Sequence, residues 1–257
     1  MLLKDKVCIV VGGASRRSIG YAVCELFARH GATVIAVDIA MDYDAATAIE
    51  ASIEDAIQRR PDILGLKCDI RSYSQCEQIA RETVARYGRI DCLVNCAGIV
   101  NANAMLAINE ADFDQMMDVN LKGAFNICKS VLNFFAAQNS GVIVNVASVA
   151  AQRGGGLVGG AHYAASKGGV VSLTRAIARE FGPKGIRANV VCPSMTQTAM
   201  LDDTVTPEMF EDIVAAIPLQ RAGRPSDIAG ACLFLTSALS AYVTGATIDV
   251  NGGSHIH

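Results

Sequence analysis

Short apolar runs, several rich in β-branched residues, alternate along the chain with longer stretches whose apolar positions recur at three and four. The runs are Val7–Val11, Thr33–Val37, Ile63–Lys67, Cys92–Asn95, Val142–Val146, Ala188–Cys192 and Thr247–Val250. Several lack polar alternation, as parallel strands covered on both faces do. Helical spacing marks Tyr21–Arg29, Ser74–Tyr87, Glu110–Ala136, Ala161–Phe181 and Ser226–Ser237. Seven strands with helices between them predict an α/β fold, a doubly wound parallel seven-stranded sheet. No Pro/Ser-rich linker, composition break or fixed-period repeat divides the chain, so residues 1–257 are expected to form a single domain. Ligands of such sheets bind beyond the carboxyl ends of the strands, and candidate chemistry is sought there.

Composition narrows the class. Hydrophobic residues make up 51% and charged residues 18% of 257 positions, enough for a large core and for surface buried between subunits. A net charge of -3 without a basic cluster argues against nucleic acid as a partner. The nine cysteines are odd in number and form no CxxC, so they read as buried thiols rather than disulfides or metal ligands. A reducing, cytoplasmic location is the matching expectation. MLLKDKVCIVV lacks the layout of a signal peptide. The uncharged stretch Ile228–Thr247 follows Pro225-Ser226-Asp227 and is broken by Ser, Thr and Gly. It reads as a buried helix and a strand, with no membrane span expected.

The first strand leads into Gly12-Gly13-Ala14-Ser15-Arg16-Arg17-Ser18-Ile19-Gly20 and then a helical pattern. A glycine-rich strand-to-helix turn lets backbone N–H groups approach a pyrophosphate at the positive end of the helix. Gly12, Ser15, Arg17, Ser18, Ile19 and Gly20 are therefore candidate dinucleotide contacts. Asp38 ends the second strand, where a carboxylate accepts both adenosine ribose hydroxyls and repels a 2′-phosphate. It favours NAD over NADP, although Arg16 and Arg17 supply positive charge that would suit the phosphate. At further strand ends, Asp69 and Ile70 are candidates beside adenine, with a plain turn or cap as the alternative for Asp69. Asn95, Ala97 and Gly98 keep the end of the fourth strand small, where bulk would block a cofactor.

The fifth strand ends at Ser148, and Tyr163-Ala164-Ala165-Ser166-Lys167 opens a later helix. Four-residue spacing puts Tyr163 and Lys167 on one helical face. A phenol with a pKa of about 10 is a weak base at neutral pH, and a neighbouring ammonium favours its phenolate. Tyr163 is thus the expected proton donor and acceptor, with Ser148 hydrogen-bonding the substrate oxygen.

Taken together, Gly12…Gly20, Asp38, Asp69, Asn95-Cys96-Ala97-Gly98, Val119-Asn120, Ser148, Tyr163-x-x-x-Lys167, Cys192-Pro193 and Thr244-Gly245…Val250-Asn251-Gly252-Gly253 resemble the short-chain dehydrogenase/reductase family over essentially the whole length. The resemblance implies a Rossmann-type fold and a catalytic tetrad of Asn120, Ser148, Tyr163 and Lys167. It implies that Asn120 sits in a distorted helix turn and holds a water linked to the lysine. It also implies that Tyr163 and Lys167 reach the cofactor, and that Pro193 and Thr198 hold its nicotinamide end. Residues of the implied lid, about 194–217, and of Ala150–Ala161 would choose the substrate, an alcohol or ketone. Helices Glu110–Ala136, with Phe134 and Phe135, and Ala161–Phe181 resemble those that pair subunits into a homotetramer.

Three features depart from the family. The glycine turn is longer than usual, and its Ser18-Ile19 ending resembles divergent enoyl reductases. Val11 stands where a threonine is usual. The segment Val149–His162 is longer than usual and carries Gly154, Gly155, Gly156, Gly159 and Gly160, which predict a mobile loop on the substrate side. His162 is expected to have a surface or interface role, and His255 and His257 to belong to a disordered or interface-packed tail. The leading expectation is an NAD-dependent interconversion of secondary alcohol and ketone. C=C reduction, as in the enoyl reductases, and an inactive cofactor-binding sensor are the alternatives.

Overall fold

The computed structural model describes residues 1–155, 158–202 and 205–256. Gly156, His257 and positions 203–204 of the expected lid lie outside them. Seven strands, β1 (Val7–Val11), β2 (Thr33–Asp38), β3 (Ile63–Lys67), β4 (Cys92–Asn95), β5 (Gly141–Val146), β6 (Ile186–Pro193) and β7 (Thr247–Val250), form one parallel sheet in the order β3-β2-β1-β4-β5-β6-β7. The expected Rossmann-type architecture is therefore present. All five residues of β1 are buried, as a central strand covered on both sides requires.

The two faces can be read from alternate side chains of β1 and β2. Cys8, Val10, Val34 and Ala36 pack with helices α1 (Ile19–Arg29) and α2 (Tyr43–Ile57). Ile9, Val11, Ile35 and Val37 face the other layer, which contains helix α3 (Tyr73–Tyr87). Helix α2 has only two buried residues, Ile49 and Ile53, one turn apart on a single stripe. The expected helix Glu110–Ala136 is instead interrupted. Helix α4 (Glu110–Met117) passes through a π turn, Asp118–Lys122, into α5 (Gly123–Gln138).

Beyond β5 come the one-turn α6 (Ala150–Arg153), the long α7 (Ala161–Phe181), α8 (Pro207–Ala215) and α9 (Pro225–Thr236). Helices α5 and α7 complete the layer containing α3, while α9 completes that of α1 and α2. Phe135 faces this core and is fully buried, and Phe134 packs partly against it. The exposed aromatics of α4 and α5 are Phe113 and Phe125. The order of strands reverses direction between β1 and β4, opening a crevice at their carboxyl ends.

Candidate active site

The glycine turn is built for close approach. Gly12 has φ +88°, a left-handed conformation, and a Cβ there would lie 3.1 Å from Ala97 N at the end of β4. At the start of α1, a Cβ on Gly20 would overlap the carbonyl of Gly12. Ser18 caps α1, its Oγ accepting from Tyr21 N at 3.0 Å and donating to Gly12 O at 3.1 Å. Ser15 lies within the turn, its Oγ accepting from Arg17 N at 3.3 Å. Asp38 closes β2, its carboxylate accepting from Ala14 N and Ala40 N, each at 3.0 Å. A helix N-terminus and this carboxylate thus flank the same turn, an arrangement that fits a dinucleotide's pyrophosphate and ribose.

Arg17 pairs with the expected lid. Its guanidinium donates through both terminal nitrogens to Asp202, each at 2.7 Å, while its carbonyl accepts from Ala199 N at 3.1 Å. Sequence offers no signal for this pairing, because the partners stand 185 positions apart. The turn reading fits Asp69, whose oxygens accept from Arg71, including Nη2 at 2.6 Å. Ile70 is buried, and its carbonyl accepts from Asn126 Nδ2. Asn95 Oδ1 accepts from Ala97 N at 3.3 Å, steadying the end of β4.

A cavity of about 410 Å³ lies beside this turn, lined by Ile19, Gly98, Ser148, Tyr163, Lys167, Pro193 and Thr198 among others. Ser148 is held just past β5, its Oγ accepting from Ala150 N at 3.1 Å. Lys167 is almost wholly buried, and its ammonium donates to Val146 O at 3.0 Å. Burial pushes its pKa down to about 8, against smaller opposing effects of the Cys96 and Cys192 thiols. Burial also raises the Tyr163 phenol above its ordinary value, and the Ser148 hydroxyl pulls it part of the way back. The expected lowering by the ammonium is not the governing influence, since Lys167 Nζ is anchored at Val146 O and lies 5.9 Å from the centre of the Tyr163 ring.

Asn120 occupies the π turn, the distorted geometry the resemblance implies. Its Oδ1 accepts from Ile99 N at 2.8 Å, and its Nδ2 donates to Ile99 O and Ser166 Oγ, each at 3.0 Å. Ser166 Oγ in turn donates to Tyr163 O at 2.8 Å, tying Asn120 to the tyrosine's own helix. A Cβ on Gly98 would lie 3.1 Å from both Asn120 Oδ1 and Lys167 Nζ. These two atoms therefore both border the face of Gly98 that a side chain would occupy.

Ala150–Arg153 is helical, Gly160 N donates to Asn101 O at 2.8 Å, and a Cβ on Gly159 would overlap the Tyr163 ring. Gly159 is thus packed against the tyrosine ring, and a Cβ on Gly160 would meet Asn103 O and the His162 ring. His162 is likewise buried, only 2% exposed, and not on the surface. Helix α7 is covered by the sheet on one side and by α4 on another, so the position before the tyrosine also turns inward. All nine cysteines are free thiols and eight are buried, as their placement in apolar runs predicts. Among the described residues, no group of three or more metal-ligating side chains occurs and no helix is long and apolar enough to cross a membrane.

Known proteins share this arrangement. The family model described as enoyl-(acyl carrier protein) reductase matches residues 12–255. The short-chain type dehydrogenase/reductase y4mP of Sinorhizobium fredii, itself uncharacterized, is 43% identical, with all of both chains covered. The 3-oxoacyl-[acyl-carrier-protein] reductase FabG of Thermotoga maritima is 37% identical over 98% of this chain and 99% of that one. The crystal structure of gox2181 superposes with a TM-score of 0.89 at 32% identity, covering 98% of this chain and 96% of that one. The chain belongs to the short-chain dehydrogenase/reductase family, and is an oxidoreductase of it.

Proposed function

We propose that the protein interconverts a ketone and a secondary alcohol with NAD(H), using Tyr163 as general acid and base. The observation that carries this reading is the convergence of Ser148, Tyr163 and Lys167 on one cavity beside the glycine turn. A bound nicotinamide would supply the hydride to the carbonyl carbon, or accept it in the reverse direction. In reduction, Tyr163 gives its phenolic proton to the substrate oxygen, and in oxidation it takes that proton back. Ser148 donates a hydrogen bond to the same oxygen and holds it against the phenol. Lys167, one turn along the same helix and lining the same cavity, is the group that returns the proton to the phenolate, while Asn120 holds the tyrosine's helix through Ser166. Main-chain groups near Pro193 and the Thr198 side chain orient the nicotinamide end, while Gly12, Ser15, Ser18, Ile19 and Gly20 surround the pyrophosphate. Asn95, Ala97 and Gly98 leave room for the cofactor, and Ile70, with Asp69, borders the adenine. Arg17 contributes by fastening the lid to the glycine turn.

NAD is favoured over NADP because Asp38 presents a carboxylate where a 2′-phosphate would stand, while Arg17 is neutralised by Asp202. The names of the FabG relatives support a second substrate reading, reduction of a 3-oxoacyl thioester. Exposed Phe113, Phe125, Leu239 and Tyr242 support assembly into a homotetramer. Assays of ketones, 3-oxoacyl thioesters, enoyl thioesters and alcohols with all four nicotinamide forms, followed by nicotinamide absorbance, test these assignments together. Turnover of ketones with NADH and of alcohols with NAD⁺ is expected. Turnover of enoyl thioesters alone would overturn the ketone reading.

A further inference from the structure

Among the described residues lining the cavity, one cation stands besides Lys167. Apart from the catalytic lysine, its lining is mainly apolar, with Val158, Met195, Leu201, Ile213 and Ile217, until it reaches Arg153 at the end of α6. Arg153 is exposed, and no carboxylate stands within ion-pair distance of it among the described residues. Its Nη1 donates to Ser254 O at 3.4 Å, too long to satisfy a guanidinium with five N–H groups. The hydroxyl of Ser254, which lines the same cavity, is buried without a hydrogen-bond partner. An orphaned buried hydroxyl is costly unless something completes it. Asp212, the one carboxylate among the described lining residues, belongs to the exposed lid helix α8 and forms no ion pair with Arg153.

We infer that Arg153 and Ser254 form an anion subsite, and that the substrate is an oxo or hydroxy acid whose carboxylate lies at the end of the cavity away from Tyr163. A carboxylate there accepts two bonds in the fork of Arg153 and a third from Ser254 Oγ. Helix α6 fixes the spacing. Ser148, which meets the reacting oxygen, precedes it, and Arg153 ends it, so one helical turn and an arginine side chain separate carbonyl from carboxylate. The apolar lining between them fits a short methylene chain.

This inference rests on the ketone reading, and the test separates the two. A series of linear methyl ketones ending in a carboxylate is compared with the corresponding methyl esters, using NADH. The wild type should favour the acid over its ester in kcat/KM by about tenfold or more at the best chain length. Arg153→Gln should lower that ratio about tenfold, Arg153→Lys should keep part of it, and Ser254→Ala should lower it by about threefold. Thermal melting checks that each variant folds. A wild type that favours the ester, or a ratio unmoved by Arg153→Gln, overturns the subsite while leaving the ketone reading standing. Turnover of neither acid nor ester with either reduced nicotinamide removes both.

Discussion

Replacing Lys167 by methionine should abolish turnover and make the cofactor-free protein more stable. The ammonium is fully buried, with Val146 O as its hydrogen-bond acceptor, and burial lowers its pKa from 10.5 to about 8. At about 1.4 kcal/mol per pKa unit, holding the charge there at neutral pH costs about 3 kcal/mol of stability. Methionine keeps most of the length without the charge, and loses one hydrogen bond worth about 1 kcal/mol. The net gain of about 2 kcal/mol corresponds to a rise in melting temperature of about 4–8 °C for a chain of this size. The sign changes with pH in a defined way. Between pH 8 and 10.5 the unfolded chain holds this proton and the folded one releases it, so wild-type stability rises across that window. The variant lacks that contribution, and its advantage should shrink as the pH climbs. Thermal melts of both proteins at pH 7 and pH 10, at one scan rate, measure this directly. A variant less stable at pH 7, or an advantage equal at both pH values, would refute the reasoning.

Two further outcomes probe neighbouring parts of the site. Gly98→Ala places a methyl 3.1 Å from both Asn120 Oδ1 and Lys167 Nζ. It should lower kcat by about tenfold or more with a smaller effect on the cofactor's KM, and an unchanged kcat would separate Asn120 from the proton path. Asp38→Asn should narrow the preference of kcat/KM for NADH over NADPH by about tenfold, because the repelling charge goes while the amide oxygen keeps one of the two bonds from Ala14 N and Ala40 N. A wild type that prefers NADPH would contradict the assignment of Asp38.

The strand pattern was legible because central parallel strands buried on both faces, such as β1 and β4, must be apolar, and β1, β3, β4 and β7 lie where the runs place them. Helix α2 was not, since only Ile49 and Ile53 of its fifteen residues enter the core. The interruption between α4 and α5 was hidden for another reason. Nothing in Asp118-Val119-Asn120-Leu121-Lys122 marks a π turn, and Asn120 acquires its meaning only through Ile99 and Ser166, far away in sequence. Four-residue spacing placed Tyr163 and Lys167 together, but it could not show that burial, rather than their mutual charge, governs both groups. Long-range partners account for the remaining differences. The pairing of Arg17 with Asp202 is such a contact, and the Tyr163 ring packs on Gly159 nearer in sequence.

Proton transfer at Tyr163 is most directly tested by Tyr163→Phe, which removes one oxygen from the cavity. The rate of nicotinamide oxidation with the best ketone, at saturating NADH, should fall by about 10²- to 10⁴-fold. Cofactor binding, followed separately by fluorescence, shows that the loss lies in the chemical step. Turnover by Tyr163→Phe at the wild-type rate would contradict the account.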